Sequence, residues 1–251
     1  MTNITEKYSL ALDFHENSTS LISPKIFDSR VQYKIYPNAR IVSLEKNSYS
    51  IAQQSDDLFL QTLLVRKSVR AFSQKNVPFD ILARLLTLSF GLRNDENESY
   101  FRTYASAGGR YPIEVYIAVL RSDEIEEGVY HYNIFDNGLE RIKNSEASKK
   151  ICEFYDGVQS THISTDYPLL IIFSMIPERT MQKYGERGYR FVLIDAGHMG
   201  QNLYLVAKYL NMGLVAFDAG EESDDKVDEI LGLSSVEENV FYSFAVGYPQ
   251  N

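Results

Sequence analysis

Tryptophan is absent from these 251 residues, and Cys152 is the only cysteine. A single thiol excludes an internal disulfide framework, and no Cys/His cluster has the spacing of zinc ligands, so no metal is expected. Long apolar runs are also missing. The longest, near Leu169 to Ile176, is far short of the roughly 20 residues that a membrane-crossing helix needs. The opening MTNITEKYSLALDFHE has no basic stretch leading into an apolar core, so no signal peptide is expected and the cytoplasm is the expected compartment. Nor is there a basic block. Lys and Arg number 25 against 34 Asp and Glu, a net charge of −9, which argues against nucleic-acid binding and against electrostatic attachment to a membrane. No GxGxxG or Walker sequence occurs, so neither a Rossmann nor a P-loop nucleotide site is expected.

What remains is an ordinary globular composition, 44% hydrophobic and rich in Tyr (18) and Phe (14). A chain of this length can bury a substantial core without staples. Residues 1–57 are mixed and polar and read as an arm or cover. Residues 58–251 read as the main domain. Within it, 58–65 (LFLQTLLV) predicts a short helix, and Ile81, Leu82, Leu85, Leu86 and Leu88 predict another that stops near Gly91. IEVYIAVL (113–120) reads as a strand, and GVYHYN (128–133) with LERI (139–142) reads as a hairpin. Residues 146–156 predict an amphipathic helix, and the continuous apolar run LLIIFSM (169–175) predicts a central buried strand. The longest helical signal covers 189–212, with Ala196, Gly200 and Ala207 on a stripe of small residues that something can approach closely. A short helix from Ser223 to Leu231 and a strand at 240–247 complete an α+β pattern, a mixed, mostly antiparallel sheet flanked by helices.

Three segments carry chemistry. Arg66-Lys67-Ser68-Val69-Arg70 places three cations and a hydroxyl within five residues of an acidic chain. If extended, Arg66, Ser68 and Arg70 point to one side and can grip a phosphate. The alternative is a solvated basic turn. In Ser106-Ala107-Gly108-Gly109-Arg110-Tyr111-Pro112, paired glycines after a hydroxyl allow backbone amides to approach a ligand, or simply shape a loop. In Lys183-Tyr184-Gly185-Glu186-Arg187-Gly188, an adjacent lysine and tyrosine can converge as a proton-transfer pair at a loop or helix start, or belong to a solvated loop. Cys152 and His131 read as structural, as does His198, a hydrogen-bonded core histidine.

Taken together these segments resemble the SagB/McbC-type flavin dehydrogenases, within the nitroreductase-like FMN oxidoreductases. The resemblance runs from Phe14-His15-Glu16 and Tyr33-Lys34-Ile35-Tyr36-Pro37 through RKSVRAF, SAGGRYPIEVY, GVYHYN, KYGERGYRF and DAGHMGQN to AVGYP (245–249), nearly the whole chain. It implies a nitroreductase-like FMN-binding fold and a homodimer. It also implies oxidation of thiazoline or oxazoline rings to thiazoles or oxazoles in a ribosomally made precursor peptide, beside a cyclodehydratase complex. FMN phosphate binding then falls to Arg66, Ser68 and Arg70. Ser106, the Gly108 backbone and Phe217 lie toward the flavin, and Lys183 with Tyr184 form the catalytic pair. Two departures stand out. Ala105 occupies a position where the family usually has proline, which implies a less rigid loop, and GYPQN lacks the wider family's basic C-terminal phosphate contact. The rival expectations are an NAD(P)H-dependent nitro, quinone or flavin reductase, a non-catalytic docking subunit, and oxidation of another bond in a peptide, such as Cα–Cβ desaturation in a cyclic dipeptide.

Overall fold

The computed structural model describes residues 8–19, 34, 36–43, 56–93, 100–156, 163, 166–217, 221–234 and 237–250. Its helices are α1 (Ser9–Thr19), α2 (Leu58–Val65), α3 (Phe79–Phe90), α4 (Ser145–Asp156), α5 (Glu178–Tyr184), α6 (Gly188–Tyr209) and α7 (Glu221–Leu231). Its strands are β1 (Ile113–Val119), β2 (Gly128–Asn133), β3 (Gly138–Lys143), β4 (Leu169–Met175), β5 (Gly213–Phe217) and β6 (Asn239–Gly247). They form one six-stranded sheet in the order β3-β2-β1-β4-β6-β5. Every ladder in it is antiparallel, so the mixed sheet expected from the sequence has no parallel member among the described strands.

The sheet is the middle of three layers, and the strand period of two explains why. Along β4, Leu169, Ile171, Phe173 and Met175 face a core shared with α3 and α6, including Leu82, Leu85, Leu86, Phe90, Met199 and Leu203. Leu170 and Ile172 face the opposite core, built with Ile151, Cys152 and Tyr155 of α4 and Val227 and Leu231 of α7. Burial on both faces is what a continuous apolar run in an interior strand requires. Cys152 is buried in this second core, a packing residue as expected.

The stripe of small residues on α6 faces this sheet. A Cβ on Gly200 would stand 3.2 Å from the Phe244 ring of β6, and Ala196 and Ala207 are buried in the same core. The close approach inferred from the stripe is therefore made by the chain's own sheet. Apolar surface remains outside it: Leu58, Phe59, Leu63 and Val65 of α2, with Leu193 and Ile194 of α6, are exposed.

Three elements differ from the sequence expectation. The segment before 189 forms its own short helix, α5, joined to α6 by a 3₁₀ turn at Gly185–Arg187. Gly213 begins a strand, β5, because a missing Cβ lets Val69 pack against it; an added Cβ would lie 2.7 Å from the Val69 Cβ. Part of the N-terminal arm is helical: α1 docks on the α5–α6 joint, with Tyr8 and Ala11 buried beside Met181 and Tyr189. Of the Tyr33-to-Pro37 motif, Tyr33 and Ile35 lie outside the described residues.

Helix α7 is tied to the sheet by a buried carboxylate. Asp228 is 5% exposed and accepts a hydrogen bond of 2.8 Å from the Val240 amide. Burial pushes its pKa up to about 7 despite that bond, with Asp225 and Glu238 adding to the rise. In the unfolded chain the group titrates near 4. The folded chain thus holds the proton more tightly, so stability falls as pH rises from about 4 to about 7 and stays reduced above. Asp228→Asn keeps the acceptor and removes the charge. It is expected to be more stable than the parent at pH 8, on the order of 1–2 kcal/mol, with the gap closing toward pH 4 in urea unfolding.

Candidate active site

Helix α6 organises the site. On one of its faces, at helical spacing, sit Asp195, His198 and Asn202, and all three hold the loop before β1. Asp195 accepts from the Ser106 hydroxyl and from the Ala107 amide at 3.1 Å. His198 Nδ1 lies 3.1 Å from the Ala105 carbonyl, and Asn202 Nδ2 donates to the Thr103 carbonyl at 3.1 Å. Ser106 Oγ in turn accepts from the Tyr111 amide at 2.9 Å. The looseness implied by Ala105 in place of proline is thus offset by clamping from α6. Asp195 is buried, and that burial raises its pKa against the opposing hydrogen bonds from Ser106 and Ala107. His198 itself is exposed rather than in the core.

The clamped loop turns through a 3₁₀ segment, Ala107–Gly109, in which Gly108 and Gly109 both take positive φ, 62° and 65°. At Gly108 the requirement for glycine is twofold. Besides the φ, an added Cβ would lie 2.5 Å from the Tyr184 hydroxyl and 2.8 Å from Lys183 Nζ. Lys183 and Tyr184, consecutive residues at the C-terminal end of α5, therefore converge on one backbone position of the SAGG loop. The Lys183 ammonium lies 5.3 Å from the Tyr184 ring centre, and Phe191 packs edge-on to Tyr184 at 5.0 Å. Lys183 is exposed and Tyr184 half-buried, so the pair is open to a ligand.

The α5–α6 joint that carries this pair is anchored by α1. Glu186 accepts from the Ala11 amide at 2.8 Å, and His15 Nδ1 lies 2.5 Å from the Tyr189 hydroxyl. Gly188 lets the joint fold tightly, since a Cβ there would stand 2.8 Å from the Met181 Cα.

The RKSVR segment lies at the other end of α6. It leaves α2 and runs along β5, where the Val69 amide donates to the Leu214 carbonyl at 2.9 Å. Arg66 stacks over the Tyr204 ring at 5.1 Å, and Ser68 Oγ is 3.3 Å from the Tyr204 hydroxyl. That hydroxyl also accepts from the Ala216 amide of β5 at 2.9 Å. Arg66 and Ser68 are partly exposed and Arg70 fully so. A hollow of about 110 Å³ opens on the side of the alternating residues Val65, Lys67 and Val69, lined also by Tyr204 and Lys208. About 13 Å of helix rise separates Asp195, under the SAGG loop, from Tyr204, under RKSVR. Phe217 ends β5, and its side chain lies outside the described residues.

The sequence reading did not assign roles to Asp195, Asn202, Tyr204 or Lys208, and took His198 for a hydrogen-bonded core histidine. The signal for Asp195, His198 and Asn202 was their placement at i, i+3 and i+7 within DAGHMGQN. Tyr204 and Lys208 share the opposite side of the helix, since nine residues turn Tyr204 about 180° from Asp195.

This architecture agrees with the family comparison: residues 63–248 match the nitroreductase family, and the chain belongs to that family of oxidoreductases. A Methanocaldococcus jannaschii protein described as a nitroreductase is 31% identical over 179 residues, covering 71% of this chain and 86% of that protein. The trifolitoxin-processing protein TfxB of Rhizobium leguminosarum bv. trifolii is 30% identical over 72% of this chain, which spans 52% of TfxB. The microcin B17-processing protein McbC of Escherichia coli is 24% identical over 84% of this chain and 81% of its own length. Among solved structures, a chain of the E. coli microcin synthetase McbBCD complex with truncated pro-MccB17 bound shares the fold. It does so with a TM-score of 0.75 at 21% identity, covering 98% of this chain and 94% of that one. Within that family the chain is thus similar both to a protein described as a nitroreductase and to proteins named for peptide processing. Among the described residues, no helix is long and apolar enough to cross a membrane.

Proposed function

We propose that this protein is an FMN-dependent dehydrogenase that converts thiazoline or oxazoline rings in a ribosomally made peptide into thiazoles or oxazoles. The observation that carries the reading is the convergence of Lys183 and Tyr184 on Gly108. Likeness to two proteins named for processing peptide products supports the choice of a peptide substrate.

The residues present suit FMN. Arg66, Ser68 and Arg70 offer donors for its phosphate. Lys67 and Lys208 add positive charge at the hollow on the segment's other side, and GYPQN adds no basic contact. At the other end of α6, the glycine-only turn at Gly108–Gly109 leaves backbone open toward a flat ring, and Gly109 has no heavy atom within 4 Å of a would-be Cβ. Ser106, its hydroxyl engaged by Asp195 and the Tyr111 amide, holds that backbone in place. When bound, FMN supplies a two-electron acceptor, which no side chain can provide. Aromatising an azoline removes two hydrogens, both from ring carbons: one would leave with the electron pair to that acceptor and the other as a proton. Lys183 as its neutral amine, or Tyr184 as its phenolate, takes that proton, and the other member of the pair orients the base. A homodimer through the exposed apolar faces of α2 and α6, in a complex with a cyclodehydratase, completes the proposal.

The test is mass spectrometry on an azoline-bearing peptide incubated with the FMN-loaded protein, since each ring oxidised loses two hydrogens. An untouched azoline, together with NADPH consumption on a nitroarene or quinone, would replace this reading with the reductase. Arg66→Ala is expected to weaken FMN binding by roughly ten- to hundredfold, the scale of a charged hydrogen bond of about 1.5–3 kcal/mol. Equilibrium titration of the apoprotein measures it, and unchanged affinity would remove Arg66 from the phosphate site.

A further inference from the structure

A second cavity, of about 440 Å³, opens against Arg110 and Tyr111 of the SAGGRYP loop. That volume lies in the range of small-ligand sites. Its wall includes Arg102, Arg110 and Arg179, a concentration of positive charge in a chain whose net charge is −9.

Each guanidinium is already held. Arg102 lies 4.6 Å over the Tyr111 ring and donates to the Tyr104 hydroxyl at 3.0 Å. Arg110 Nε donates to the Arg179 carbonyl at 2.9 Å. Arg179 donates to the Tyr111 carbonyl at 3.2 Å and pairs with Glu114. Glu114, the acidic group on the wall, is doubly spoken for, because His131 Nε2 also lies 3.1 Å from it. His131 in turn bridges to Glu140 at 2.9 Å. Among the described residues, neither Arg102 nor Arg110 has a carboxylate partner. Phe135, 77% exposed, lines the same cavity as apolar surface. The cavity therefore presents fixed cations beside an aromatic wall, which favours an anionic ligand with an apolar neighbour.

Its position says which ligand. Arg110 directly follows Gly108-Gly109, and Arg179 stands one turn before Lys183 on the same face of α5, about 6 Å along the axis. A peptide whose ring sits at Gly108, Lys183 and Tyr184 must continue beyond that ring, and this cavity lies next along the wall. We infer that the cavity is a subsite for an acidic, aromatic-bearing segment of the substrate peptide flanking the ring to be oxidised. The inference rests on the peptide reading above but can be tested without the oxidation.

The experiment measures fluorescence anisotropy of a labelled Gly-Ser peptide carrying two glutamates around a phenylalanine, against the same peptide with lysines, on the FMN-loaded protein. The acidic peptide is expected to bind about tenfold tighter, an advantage that shrinks as salt is raised toward about 0.5 M. Arg110→Gln should remove most of the preference and Arg110→Glu should reverse it. Phe135→Ser, at an exposed turn position, should weaken both peptides alike. Equal binding of the two peptides, or a preference that survives both Arg110 substitutions, overturns the subsite. Failure of azole formation with the charge preference intact would instead overturn the dehydrogenase reading and leave the subsite standing.

Discussion

Lys183→Ala and Tyr184→Phe are each expected to lose about 10² to 10⁴ in the rate of azole formation while keeping FMN and the fold. Both side chains stand at the end of α5 and reach Gly108 through their terminal atoms, so truncation there removes chemistry without opening the core. Lys183 is exposed, and the ring of Tyr184 keeps its packing on Phe191 when only the hydroxyl is removed. Flavin absorbance and thermal unfolding should therefore be near those of the parent, and the loss should appear in turnover on a peptide presented at saturation. If both variants turn over at close to the parental rate, the pair does not carry the proton. If FMN is lost with the rate, the pair belongs to the cofactor site instead.

Gly108→Val is expected to be almost as damaging by a different route. A β-branched residue is strained at a φ of 62°. Its Cβ would also occupy the space of the Tyr184 hydroxyl and Lys183 Nζ. The pair must swing away, and a displacement of about 1 Å at a reacting group can cost on the order of 10²-fold in rate. Gly109→Ala serves as the control. It shares the positive φ, and no atom of the chain lies within 4 Å of its would-be Cβ, so it carries strain without collision against Lys183 and Tyr184, and an FMN titration of the same variant reads any crowding of the flavin. Rate losses of equal size in the two variants would mean that strain in the loop, rather than crowding of Lys183 and Tyr184, is what the substitution reports.

The sequence made some of this legible and left the rest obscure for physical reasons. Helices and strands with strong periodicity, such as α3, α4, β1 and β4, were readable because each helix buries one face in one of the two cores and each strand buries a face in both. β5 was not, since a five-residue strand beginning at glycine has too few positions to establish a period. α5 was hidden because its break from α6 is made by Gly185 at φ 60° and by the close approach at Gly188, which read equally well as a loop. α1 looked like a polar arm because its signature is one docking face, Tyr8 and Ala11, against an otherwise exposed helix. At the site, the residue types of RKSVR, SAGG and KYGERGYR were visible. That two of these segments meet at Gly108, while the third lies a helix away, depends on α6 and could not be read from spacing along the chain. The small-residue stripe was legible as a place of close approach, and the structure shows that what approaches is the sheet.

Asp195 and Tyr204 fix two loops from unrelated parts of the chain to one continuous helix. The interval between the two clamps is therefore a ruler. It is graduated in helical residues and cannot be adjusted by lengthening a loop. One residue inserted between them would shift one clamp by about 1.5 Å and turn it by about 100° relative to the other. Both loops would then face different directions. Connections outside that interval carry no such marks. The segment from Asp195 to Tyr204 can change its residues but not their number.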